Sequence, residues 1–190
     1  IVKADMPSPV IKGGFASPET VAHIAVQKYS MASPLYRQEQ EWKQNGILLS
    51  RQTMANWLIK ASDNWLLPIY EEMKRRLVKH EVLHADETTL QVLKEPGKTA
   101  QQKSYMWLYR TSGEAKHQIV LYDYQTDRNH ARPKSFLKDF EGYLHADGYD
   151  GYHKLPESII VVGCLAHLRR KFFDAYKTLP KEKKIGRAHV

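Results

Sequence analysis

Leu83-His84-Ala85-Asp86 recurs 61 positions later as Leu144-His145-Ala146-Asp147. Each string is expected at or near the end of a strand. If those strands are parallel neighbours, matched positions lie roughly 5 Å apart, and the Asp86 and Asp147 carboxylates enter one small space. Two carboxylates so close must share a proton or bind a cation. Oxygen-only ligands suit Mg²⁺ or Mn²⁺. Two such ions about 3.5–4 Å apart activate an attacking oxygen and stabilise a leaving one in phosphodiester chemistry. Asp86 is then the expected bridge between metals, and Asp147 a ligand to one of them. Taken singly, each aspartate reads better as a turn cap, since Asp147-Gly148 is a turn signal by itself. The duplicated string favours the shared metal site. His84 and His145 face the same side as the aspartates and read as packed or supporting groups. Glu87 faces the other side and reads as a poor ligand.

The elements that must position this pair begin near residue 81. Val82 to Leu93 reads as a strand and Glu95-Pro96-Gly97 as a turn. Tyr105 to Arg110 and Gln118 to Tyr124 read as the next two strands, separated by Ser112-Gly113. A helix over about Ala131 to Phe140 turns Phe136, Leu137 and Phe140 inward, and Gly142 ends it. Tyr143 to Asp147 is a fourth strand. Ser158 to Leu165 is a fifth, apolar enough to be buried on both faces. A basic helix follows over Ala166 to Leu179. Three strands, a helix, a strand, a linking segment, a strand and a helix is the order of an RNase H-like mixed α/β sheet, although other α/β folds begin the same way.

Ahead of the sheet the texture is helical. Residues 1–16, with Pro7, Pro9 and Gly13-Gly14, read as a linker or extended arm. Ser17-Pro18-Glu19-Thr20 is a helix start, with Val21, Ile24, Ala25 and Tyr29 as the buried stripe. A second helix starts at Ser33-Pro34, carries Leu35, Gln38 and Trp42, and stops at Asn45-Gly46. A third starts at Ser50 and turns Met54, Trp57, Leu58 and Ala61 inward. Its outer face carries Arg51, Gln52, Asn56 and Lys60. Helix, short turn, then a helix with polar outward residues is a helix-turn-helix pattern, and Arg51, Gln52 and Asn56 become candidate DNA contacts. A plain helical hairpin fits the same pattern. Residues 63–79 read as a fourth helix with Leu66, Ile69, Met73 and Leu77 inward, begun or kinked by Pro68. The expected layout is an arm (1–16), a helical DNA-binding-like segment (17–80), a catalytic core (81–180) and a linker with a tail (181–190).

At 42% hydrophobic and 26% charged, the chain is an ordinary globular one rather than a disordered one. A net charge of +8 and a pI near 9.4 favour an anionic partner, of which nucleic acid is the commonest, or else only maintain solubility. Cys164 is the single cysteine, which excludes an internal disulfide and argues against a cysteine-based zinc site. The longest apolar stretch, Ile159 to Ala166, is too short to span a bilayer. No secretion signal opens the chain. The expectation is a cytoplasmic, nucleoid-associated protein with DNA as partner and no membrane.

Several strings together resemble a known family. They are His84-Ala85-Asp86-Glu87-Thr88, Tyr105-Met106-Trp107-Leu108-Tyr109, Gly142 to Tyr149 with Gly151-Tyr152, and Gly163 to Phe172. Pro34 to Glu39 and Ser50 to Trp57 extend the likeness. The chain resembles the IS66 family of insertion-sequence transposases over nearly its whole length. That resemblance implies a DDE recombinase that cuts transposon ends and joins the freed 3′-hydroxyls to target DNA with Mg²⁺, as a homo-oligomer when full length. It makes Asp86 and Asp147 the first and second catalytic carboxylates and Cys164 to Lys171 a family signature. His167, Arg169, Arg170 and Lys171 could hold phosphates beside the metals, or simply form an exposed helix face.

The third carboxylate of the family, a glutamate in an Asn-Asn-x-x-Glu-Arg string, has no counterpart here. Glu182 follows Asp147 by 35 positions, but in a solvated Lys-rich stretch. Ile185 to Val190 is a literal translation of a common sequencing adapter, so these six residues are expected to be non-native, and Ile1 is an unusual start. The expectation is a fragment, inactive alone for want of the third carboxylate. The rival readings are a non-catalytic DNA-binding fragment, and another nuclease or integrase of the same fold.

Overall fold

A computed structural model describes residues 9–178 of the chain. Glu182, the Ile185 to Val190 tail and the opening residues of the expected arm lie outside the described residues. The chain divides into two compact units, with the break between Glu71 and Glu72.

The first unit is helical. Its helices are α1 (Pro18–Tyr29), α2 (Leu35–Gln44) and α3 (Arg51–Ala61). Ser17 and Ser50 cap α1 and α3 by accepting hydrogen bonds from the Thr20 and Thr53 N–H groups, at 3.2 and 3.1 Å. These are the N-terminal bonds the two Ser residues were expected to make. The core joins Val21, Ile24, Leu49, Met54, Trp57 and Ala61. Ile11 and Ala16, expected in an extended arm, are instead buried in it. Tyr29, expected in the buried stripe, is 73% exposed. Gln38 is buried, and its amide donates to the Ser33 carbonyl at 3.0 Å.

A π-helical segment, Ser62–Leu66, continues α3 into α4 (Leu67–Leu77). It stands just ahead of Pro68, which has no N–H to offer a regular helix, and a wider turn is one way to absorb that defect. Leu66, the last residue of that segment, and Ile69 are exposed, and only Leu77 of the expected stripe is fully buried.

The second unit is a five-stranded mixed sheet ordered β3-β2-β1-β4-β5. The strands are β1 (Val82–Gln91), β2 (Lys103–Thr111), β3 (Val120–Gln125), β4 (Gly142–Ala146) and β5 (Ile159–Gly163). β1, β2 and β3 form an antiparallel meander, while β4 lies parallel to both β1 and β5. One face is packed by Leu83, Ala85, Trp107, Tyr109, Leu121, Leu144 and Ala146. The short helix α5 (Ala131–Phe136) covers part of it, with the Phe136 ring stacked on Tyr109 at 3.8 Å between centroids. The other face is largely open. Ile160 and Val162, expected to be buried on both sides of β5, are 51% and 40% exposed. α6 (Leu165–Thr178) follows with no fully buried residue.

Gly142 opens β4 rather than ending the preceding helix. Its φ is +136°, and a Cβ there would stand 2.4 Å from the Glu81 carbonyl oxygen. The next N–H, of Tyr143, donates to that same carbonyl at 2.9 Å, which starts the β1–β4 ladder. Only glycine fits this approach. Among the described residues, no helix is long and apolar enough to cross a membrane.

Candidate functional site

The parallel register pairs Leu83 with Leu144 and His84 with His145. The two copies of the repeated string therefore lie side by side. Carrying that register two residues further sets Asp86 level with Asp147, since side chains repeat on one face every second residue. Asp86 is within β1, and Asp147 immediately follows β4. Both line one cavity of about 220 Å³ on the open face, with His84, Arg110, His145, Cys164 and His167. The two imidazoles of the repeat meet at 4.7 Å between centroids. Burial, followed by the neighbouring His145 and Arg110, holds the His84 pKa below its ordinary value, so this ring favours the neutral form.

Asp86 is exposed, and one of its oxygens accepts the Glu87 N–H at 2.9 Å. Asp147 is partly buried and accepts the Tyr149 N–H at 2.9 Å. That bond is the turn cap expected of an Asp-Gly pair, so capping and a place in the cavity are compatible roles here. The donor set is two carboxylates beside imidazoles, which suits a hard divalent cation that keeps several waters. Among the described residues, no group of three or more His, Cys, Asp or Glu side chains is arranged to hold a metal.

Of the α6 candidates, His167 reaches the carboxylate cavity, and its buried Nδ1 has no hydrogen-bond partner. Lys171, one turn further on, joins His167 around an adjoining hollow that also touches Gly148 and Cys164. Arg169 and Arg170 are exposed on α6 and do not line either space. In the helical unit Arg51, Gln52 and Asn56 are exposed on α3, the outer face expected for them. Arg51 is engaged there with Glu39, whose carboxylate accepts its backbone N–H at 3.0 Å and lies 3.9 Å from its Nε.

A second cluster was missed by the sequence reading. Glu87 does face away from the cavity, as expected, but it is not a solvated bystander: its side chain is only 1% exposed. Arg128 donates to it from Nε at 2.7 Å and from Nη2 at closer range. The Tyr152 hydroxyl donates to its other oxygen at 2.7 Å. The same Arg128 Nη2 stands 3.7 Å from Asp147, and the guanidinium lies 4.1 Å from the Tyr149 ring centroid. Burial works against the Arg128 charge, yet the hydrogen bond and charge of Glu87, helped by Asp147, raise its pKa. Burial first, then Glu87, also pushes the Tyr152 phenol far up. One signal for this cluster was available. Glu87 is in phase with the inward-facing Leu83 and Ala85, and a buried acid demands a partner.

A family model described as Transposase IS66 family matches residues 13–188. Uncharacterized protein y4qI of Sinorhizobium fredii (strain NBRC 101917 / NGR234) is 34% identical over 189 residues, spanning 93% of this chain and 35% of that protein. Uncharacterized protein y4jD of the same organism is 30% identical over 190 residues, spanning 93% of this chain and 37% of that protein. Uncharacterized protein y4hP, also from that organism, is 30% identical over 168 residues, spanning 85% and 30%. The chain thus spans about a third of the length of the curated relatives it matches. No solved structure matches.

Proposed function

The chain belongs to the IS66 transposase family, and from that premise we propose that its sheet is an RNase H-like core for metal-dependent cleavage and transfer of DNA strands at insertion-sequence ends. The observation that carries this reading is the meeting of Asp86 and Asp147 at one cavity, from the parallel neighbours β1 and β4. The strand order, a three-stranded meander extended by two parallel strands, supports the same fold type.

In this reading Asp86 and Asp147 are the carboxylates that hold Mg²⁺ or Mn²⁺. The chemistry a bound divalent cation supplies is activation of the attacking oxygen and neutralisation of the leaving one. The protein's own part is to fix two acidic oxygen donors on a rigid sheet and present cationic side chains to phosphate. Arg110 lines the same cavity, and of the α6 candidates His167 reaches it and Lys171 lines the adjoining hollow. Arg169 and Arg170 would track the backbone further out on α6. Arg51, Gln52 and Asn56 on α3 are proposed DNA contacts of the helical unit. DNA, as transposon ends and target, is the proposed partner, engaged by a homo-oligomer.

A second reading, a DNA-binding chain that does not cut, draws on the lack of a three-ligand group among the described residues. One experiment separates the two. The chain is incubated with labelled duplex carrying the element's terminal sequences, with and without Mg²⁺, alongside Asp86→Asn. Mg²⁺-dependent strand cleavage that Asp86→Asn abolishes, with DNA retention unchanged, supports the enzyme. Retention without cleavage, together with no Mn²⁺ binding that depends on Asp86 and Asp147, supports the binder. Mn²⁺ titration followed by electron paramagnetic resonance tests the site directly. Asp86→Asn or Asp147→Asn is expected to weaken Mn²⁺ binding at least about tenfold, since each removes one of two charged ligands. Equal binding by wild type and both variants overturns the proposed site.

A further inference from the structure

Arg128 stands between two carboxylates and bonds only one of them. Its fork is committed to Glu87 through Nε at 2.7 Å and a second, closer contact from Nη2. Its distance to Asp147, 3.7 Å, is an ion-pair separation with no hydrogen bond. Glu87 is well placed to hold it there. The Glu87 side chain is sealed from solvent, and its remaining oxygen is fixed by the Tyr152 hydroxyl. Arg128 is further confined by the Tyr149 ring beneath the guanidinium, while the Tyr149 hydroxyl donates to the Arg128 carbonyl. An arginine fork free to rotate beside a carboxylate closes on it in a two-pronged ion pair. Closed on Asp147, it would set a fixed positive charge where a metal cation must bind.

We propose that Glu87 is a positioning residue: it tethers Arg128 beside Asp147 rather than on it, and so keeps the Asp147 carboxylate available to a divalent cation. This rests on the reading of Asp147 as a cation ligand. Glu87 itself touches neither cation nor DNA.

The test is a double-substitution cycle in the whole chain, read by Mn²⁺ titration. Glu87→Gln keeps an oxygen for the Tyr152 hydroxyl and removes the charge that restrains Arg128. It is expected to weaken Mn²⁺ binding at least about tenfold, because the released guanidinium competes for Asp147. Adding Arg128→Gln to Glu87→Gln removes the competitor and leaves no unpaired buried charge. Binding is then expected within about threefold of wild type, a rescue that coupling through Arg128 requires. Loss without rescue, or no loss in Glu87→Gln, overturns the proposal. Thermal unfolding of each variant checks that the sheet is intact.

A metal-free readout stands beside it. The Arg128 Nε–H resonance in the ¹⁵N-labelled chain is expected to shift in Glu87→Gln and to stay in place in Asp147→Asn. A shift of the same size in Asp147→Asn places the guanidinium on the wrong carboxylate and overturns the tether. If wild type shows no Mn²⁺ binding that depends on Asp86 and Asp147, the function proposed above falls and takes the role of Glu87 with it. The resonance comparison still reports whether the tether exists.

Discussion

Leu144 and His145 are consecutive residues of β4, and they belong to different worlds. Leu144 is sealed in the packed face with Leu83, Trp107 and Tyr109. His145 is half-buried on the open face, against His84 and beside the two aspartates. The same strands build both faces, because successive side chains of a strand point to opposite sides. The packed face fixes the backbone. The open face inherits that rigidity for its polar groups without having to be a core itself. Tyr122, Tyr143 and Ile160 are left exposed on that side, so the contrast is one of packing as well as polarity.

The largest expected effect that could break this contrast comes from truncating each neighbour in turn. Leu144→Ala removes a fully buried side chain from the packed face and is expected to destabilise the fold by about 2–5 kcal/mol. His145→Ala is expected to change stability by under about 1 kcal/mol while altering Mn²⁺ binding or DNA retention. Urea unfolding of both variants decides the matter. Similar stability losses at the two positions would mean that the open face is a second core.

Gly142 offers a sharper probe, because it sets the register on which both faces depend. Gly142→Ala must relieve a Cβ only 2.4 Å from the Glu81 carbonyl, at a φ that L-residues rarely adopt. A loss of about 1–3 kcal/mol is expected from strain of this kind. Any shift of β4 against β1 also separates Asp147 from Asp86, so Mn²⁺ binding should fall with stability in this variant. Leu144→Ala should leave Mn²⁺ binding closer to wild type. An alanine variant with wild-type stability would show that the backbone relaxes locally and that the close approach is dispensable.

What could be read in the sequence follows from how local each cause is. The Ser17 and Ser50 caps act within one turn of their own position, and they sit where expected. The repeated Leu-His-Ala-Asp string carried the strand phase of β1 and β4, and the parallel register sets the two copies level. The missed features have distant or collective causes. A π-helical turn, Ser62–Leu66, stands ahead of Pro68, and no periodicity count anticipates it. The exposure of Ile160 and Val162 depends on what packs over β5, which their own apolar character does not reveal. The charged partner of Glu87, Arg128, comes from a segment 41 positions away, without regular structure or a motif to mark it.

The smallest expected effect lies at the far end of the open face, where a polar cluster closes over the sheet. Ser104 pairs with Leu90 across β1 and β2, in the same facing phase as Asp86, and is fully buried. The turn after β1 brings Glu95 onto it. Glu95 accepts hydrogen bonds from the hydroxyls of Ser104 and Tyr124, and Lys98 Nζ lies 3.3 Å away. The Ser104 bond first, then the Tyr124 bond, hold the Glu95 carboxyl below its ordinary value of 4.5. The unfolded chain therefore takes up this proton at a higher pH than the folded one. The stabilisation is present above about 4.5 and is lost as pH falls through the folded value. Glu95→Gln removes the titrating group while keeping one acceptor for the hydroxyls. The acid limb of the stability curve, measured as urea midpoints at steps below neutral pH, should be shallower in that variant. If the limb is unchanged, Glu95 is solvated in solution, and the open face is unguarded along its whole length rather than only around the aspartates.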